Sequence, residues 1–258
     1  MAFDLVISLG FRCFTGFQLR RMMIQTISFP LDWVVSDANG AIEAIATKFS
    51  GTMQPENLFS HPHYVLDRRF RFQHWHDFSN KADPLSCLSQ TTFKRAFLEQ
   101  RFFEVLHSRR RLLFVRHEVP GHGSRDIAQR FVDALRLHRP DHSFKFLYLS
   151  DQIDDFETDY IVGVHVPRNK HLPQHVWDGA FGYVHGRERI SGYSPRMVRA
   201  CEKLPVPIQI NVSKIVGSTR KRKIQLELYA SRLIGRGNKT GQPAGEKSER
   251  GRSLSPSL

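Results

Sequence analysis

"RLLFVRHEVPGHGSRDIAQRFVDALRLHRPDHSFKFLYLSD", residues 111–151, carries the rhythm that decides the fold. Residues 111–118 are a mostly apolar run, 124–138 repeat apolar residues at helical spacing, and 143–151 form a second apolar run. Strands buried on both faces lose the in–out alternation of a half-exposed strand, so this order predicts parallel strands joined by a covering helix. A further strand is expected over 159–167. On the N-terminal side, "FDLVISLG" (3–10) reads as a short buried strand ended by glycine, and 13–25 as a helix. The chain then turns at Pro30, and Asp37 reads as the cap of a helix running through 41–49. Residues 57–78 alternate and predict one or two strands; 91–110 predict a helix. The expected fold class is α/β, a mostly parallel sheet flanked by helices.

The 258 residues are 40% hydrophobic and 24% charged, enough for a full core. A single domain is expected over 1–212, followed by a basic end segment, 213–258. That segment holds eleven Lys/Arg against three Asp/Glu, a surplus of eight in the net +13, so residues 1–212 keep only +5. From about residue 235 it is rich in Gly, Ser, Pro, Lys and Arg, and disorder is expected there. The body lacks a basic stripe interleaved with aromatics apart from "RRFRFQHW" (68–75), which reads first as a half-buried strand. Nucleic acid is therefore not an expected partner. Asp4 stands where a secretion signal would be positive, and no stretch approaches the ~20 apolar residues of a membrane span. A cytoplasmic location is the expectation.

Cys13, Cys87 and Cys201 are far apart and odd in number, which fits free thiols better than a disulfide framework. Cys13 falls at the head of the first helix, where unpaired backbone N–H groups favour a thiolate and could hold an oxyanion. Gly10 permits the tight turn from strand to helix, Arg12 supplies a neighbouring cation, and Ser8 ends the strand. The competing reading is a small, buried, structural thiol, since cysteine is among the most buried residue types. Cys87 and Cys201 have no helix-start context in the sequence and read as structural.

"ISLGFRC" (7–13), "QLRR" (18–21), "PLDW" (30–33) and "HDF" (76–78) together resemble a family described as papain-like cysteine peptidases. The resemblance runs over roughly residues 4–165, with Leu31 where the family carries phenylalanine. It implies a Cys–His centre that attacks a peptide, acyl or glycan-linked carbonyl, with Cys13 as nucleophile and His76 as base. No cofactor is implied. The two residues are 63 positions apart, shorter than the ~130–150 of papain itself. A papain-like α+β arrangement is the alternative fold, although the strand–helix–strand rhythm after residue 111 favours the parallel sheet.

Asp32, a turn carboxylate beside Trp33, is the candidate orienter of the imidazole, against the plainer reading that it accepts N–H bonds in its own turn. Asp77 adjoins His76 and would point to the opposite face of a strand. Ser8, Gly10 and Arg12 are candidates for the oxyanion or substrate subsite. The pairs His61/His63 and His74/His76 have the spacing of metal ligands on a strand, but no metal is assigned to them. Glu118 and His122 lie in a glycine-rich loop after a strand, where α/β proteins bind ligands. They carry the alternative reading, a transferase handling glycans or nucleotide sugars. A non-catalytic binding domain with Cys13 in its core is the third.

Overall fold

Strand β1 (Leu5–Ser8) pairs in parallel with β6 (Leu112–His117), and β6 with β7 (Phe144–Ser150). Strand β9 (Ile161–His165) continues the parallel sheet, and β8 (Phe156–Glu157) adds an antiparallel edge, giving the order β1-β6-β7-β9-β8. The structure, a computed structural model, describes residues 3–22, 24–25, 27–140 and 144–187, all within the unit Met1–Lys221. The expected end segment 213–258 and Cys201 lie outside the described residues.

Helix α4 (Arg125–Arg136) makes the crossover from β6 to β7, and its cap Ser124 accepts the Ile127 amide at 3.1 Å. Helices cover both faces. On one, Val6, Leu113, Val115, Leu147 and Val162 pack with Leu19 of α1 (Cys13–Arg21) and with Trp177 and Phe181 of α5 (Gln174–Arg187). On the other, Phe131 of α4 meets Phe146, and Phe102 of α3 (Leu88–Leu106) meets Phe114. Each such side chain contributes about 1.5–3 kcal/mol of burial. Two covered faces are why these strands read as mostly apolar runs without in–out alternation.

A second, smaller sheet is antiparallel in the order β2-β5-β4-β3. Its strands are β2 (Val34–Val35), β3 (Leu58–Ser60), β4 (Val65–Asp67) and β5 (Phe72–His74). Such short strands bury little, and the buried Asp67 carboxylate braces them by accepting the amides of Met53, Arg69 and Phe70. Helix α2 (Ala38–Ala46) follows β2, and Asp37 caps it as expected, accepting the Gly40 amide at 2.7 Å. Strands β2 and β8 and helix α5 were not expected from the sequence. No described helix is long and apolar enough to cross a membrane.

Candidate active site at the start of α1

The turn from β1 into α1 is fixed on all sides. Leu9 continues the ladder by donating to the Val115 carbonyl at 2.8 Å. Gly10 then adopts φ +85°, and a Cβ there would fall 2.6 Å from Ser36 Oγ, so only glycine fits. Ser8 Oγ accepts the Gly10 amide and Thr15 Oγ1 donates to its carbonyl. Behind the turn the buried Arg116 guanidinium donates to the carbonyls of Leu9 and Ser36 at 2.8 and 3.1 Å. It also pairs with Glu118 through two bonds of 2.7 and 3.0 Å. Arg12 is the extended N-cap, makes no capping bond, and lays its guanidinium 5.3 Å from the Phe11 ring centre. The Cys13 and Phe14 amides have no partner among the described residues, as expected at a helix start.

Cys13 is the first residue of α1 and is partly exposed. With 3.6 residues per turn it shares one stripe with Gly16 and Arg20. The loop carrying Asp32 lies on that stripe: a Cβ on Gly16 would sit 3.6 Å from the Asp32 Cγ. Asp32 is wholly buried and accepts Gln25 Nε2 at 2.5 Å, the Phe29 amide at 2.9 Å and Arg20 at 3.4 Å. Its other oxygen, Oδ1, is buried with no partner among the described residues. Burial raises its pKa to about 6, outweighing the opposing pull of Arg20, Gln25 and Phe29.

Arg20 also stacks over Trp33, 4.4 Å from the ring centre, and His76 meets Trp33 edge to face at 6.4 Å. His76 is exposed. Asp32 thus reaches α1 at Gly16, and Trp33 and His76 connect to it through Arg20; Cys13 itself makes no contact with Asp32 or His76 among those between the described residues. Asp32 bonds Arg20, Gln25 and its own turn rather than a histidine. Among the described residues, neither the Cys13 nor the His76 side chain makes a hydrogen bond.

The two histidine pairs behave differently from strand ligands. Strand β5 ends at His74, so His74 turns inward while His76 stays outside. His74 Nδ1 lies 2.9 Å from Asp77, which also takes Lys94 at 2.8 Å. His61 stacks on Tyr64 and His63 on Trp75. No group of three His, Cys, Asp or Glu among the described residues is placed to hold a metal.

Two further points were missed. His117, at the C-terminal end of β6, sits on the α1 face between Phe11 and Trp177, at 5.9 and 6.0 Å. Burial, helped by Arg116 and His171 and opposed by Asp151, lowers its pKa to about 4. Its signal was readable, because it continues the every-second-residue set Leu113, Val115. Second, Cys87 does have a helix-start context: it is the N-cap of α3. It is reached through a 3-10 turn, Pro84–Cys87, in a stretch to which the sequence reading assigned no element. Glu118 and His122, singled out in the sequence as a ligand-binding loop, line a cavity of about 450 Å³ with Asp37, Asn39, Arg71 and Ile127, between the starts of α2 and α4.

A family model described as "Putative papain-like cysteine peptidase (DUF1796)" matches residues 4–146. The chain belongs to this family. In this member of the cysteine peptidase-like family the matched stretch runs from β1 into β7, and so contains Cys13, Asp32, His76 and His117 but not α5. "Uncharacterized protein R408" of Acanthamoeba polyphaga mimivirus is 24% identical over 212 residues, covering 72% of this chain and 84% of that protein. No solved structure matches the chain significantly.

Proposed function

We propose that this protein is a thiol acyl hydrolase or transferase of the peptidase type, with Cys13 as nucleophile and His76 as its base. The observation that carries this reading is the shared stripe of Cys13, Gly16 and Arg20, which faces the Asp32–Trp33 loop on which His76 leans. His76 takes the Cys13 proton, and the thiolate attacks the carbonyl carbon of a peptide, ester or glycan-linked acyl group. The oxyanion meets the unpartnered amides of Cys13 and Phe14, with Arg12 beside them. His76 then protonates the leaving group, and water or another acceptor releases the acyl group. Ser8 and Gly10 shape the turn, and Asp32 fixes Arg20 and through it Trp33. The Cys–His hydrogen bond forms with substrate in place, as such bonds often tighten only in the complex.

Site-resolved alkylation tests this. Folded protein is treated with limiting iodoacetamide from pH 5 to 9 and adducts are mapped by mass spectrometry. Cys13 is expected to label about tenfold faster than Cys87, the equally part-exposed helix-cap thiol, below pH 7.5, and to lose that advantage in His76→Ala. Labelling of Cys13 only on unfolding sinks the reading. Loss of the advantage in His117→Ala instead of His76→Ala moves the base to His117.

The cavity between α2 and α4 favours a second reading, a transferase holding a nucleotide sugar there. Glu118 is already bound to Arg116, the Val119 amide and Tyr148, which leaves His122, Asn39 and Arg71 to recognise it. A rise in melting temperature with UDP-glucose that disappears in His122→Ala supports this reading; no rise removes it.

A further inference from the structure

His76 is exposed and on a bend, yet His74, two residues before it, and Asp77, directly after it, are tied down. His74 ends β5 opposite Val34 of β2, the residue after Trp33. Its ring is turned into the small sheet between Phe72 and Phe78, at 6.4 and 5.9 Å, and only 1% is exposed. From there Nδ1 reaches forward three residues to Asp77 Oδ2 at 2.9 Å. The second Asp77 oxygen takes Lys94 Nζ of α3 at 2.8 Å, and the Asp77 carbonyl takes Thr91 Oγ1 at 3.3 Å. Residues 75 and 76 are therefore closed into a ring whose clasp is the His74–Asp77 bond, and α3 holds that clasp from outside.

The protonation states agree with a clasp rather than a catalytic pair. Burial keeps His74 neutral, below its ordinary pKa. Burial works against charge on Asp77 too, but the bonds from His74 and Lys94 and the nearby Arg95 hold its carboxyl well below the usual range. A neutral imidazole beside a carboxylate puts its proton on Nδ1, and Nε2 is left buried with no partner among the described residues. No substrate reaches that nitrogen, so His74 does not itself take part in chemistry.

We infer that His74 is a positioning residue, which through Asp77 holds His76 against Trp33 and so beside the Cys13 stripe. The inference rests on the Cys13–His76 reading above. Hydrogen-bond donation from Nδ1 is the property required, since the space alone could be filled by any ring.

Three variants of the full chain separate that role from packing. His74→Phe keeps the ring and removes the donor, His74→Asn returns an N–H near the Nδ1 place, and Lys94→Gln removes the outer tie at a half-exposed site. The readout is the rate of Cys13 carbamidomethylation from pH 5 to 9, with the melting temperature recorded for each. His74→Phe is expected to lower the rate at pH 6–7 about tenfold, towards the His76→Ala profile, with His74→Asn recovering most of it. Lys94→Gln should move the profile about twofold the same way. A folded His74→Phe with the wild-type profile overturns the inference while leaving the Cys13–His76 pair standing. Should His74→Phe not fold, a wild-type profile in Lys94→Gln overturns it equally. If His76→Ala itself changes nothing, the pair fails, and the role given to His74 goes with it.

Discussion

Replacing Arg116 by leucine is expected to remove about 3–5 kcal/mol of unfolding free energy, the cost of stranding one member of a buried ion pair. Arg116 is wholly buried, and its removal leaves Glu118, 1% exposed, with a charge answered only by the Val119 amide and Tyr148. The carbonyls of Leu9 and Ser36 also lose donors. The urea midpoint should fall with little change in slope. The double variant Arg116→Leu/Glu118→Leu should cost clearly less than the single one, because no charge is stranded. A single-variant loss under about 1 kcal/mol would mean that water reaches Glu118 and that the β1–α1 turn does not depend on this pair.

The second large effect is a pair of opposed pH dependences. His117 is lowered to about 4 from an ordinary 6.5, so between those values the unfolded chain binds the extra proton. Its contribution is complete above pH 6.5 and is lost as pH falls to 4, about 3 kcal/mol in all. Asp32 is raised to about 6 from 3.8, so there the folded chain binds the extra proton. Stability from this group is lost as pH rises from 3.8 to 6, again about 3 kcal/mol. Over the same window the two nearly cancel. Unfolding free energies of His117→Phe, taken relative to wild type, should drop steadily from pH 4 to 6.5, while those of Asp32→Asn should climb. A flat difference curve for either variant would show that its group is hydrated in the folded state.

The central layer was legible because its physics is local. Apolar runs at 112–117 and 144–150, and the Ser124-capped amphipathic stretch between them, each declare their element before any partner is known. The Asp37 cap and the Gly10 turn were legible for the same reason. Strand β2 was not, since two residues cannot display a period and their pairing with β5 is set by tertiary contacts. Around the site, Cys13 and the Asp32 turn stood out as motifs. The arrangement of "HWHD" was misread from strand alternation: β5 stops at His74, so the inward histidine is the one that bonds Asp77. Trp33 and Arg20 as the link between Asp32 and His76 could not be read, because a cation over a ring and an edge-to-face contact leave no spacing signature.

The pairing of Leu5 with Leu112 has a consequence for the order of assembly. Strands β6 and β7 are joined through one helix and can meet through a short loop closure. Strand β1 must wait for a partner more than one hundred residues further along the chain, and closing so long a loop is slow. During synthesis the segment bearing Cys13 emerges first and settles late, with its thiol uncovered throughout. Pulsed hydrogen exchange during refolding should accordingly protect the amides of β7 before those of Val6 to Leu9. The strand that leads into Cys13 is made early and docks onto a sheet that has already formed.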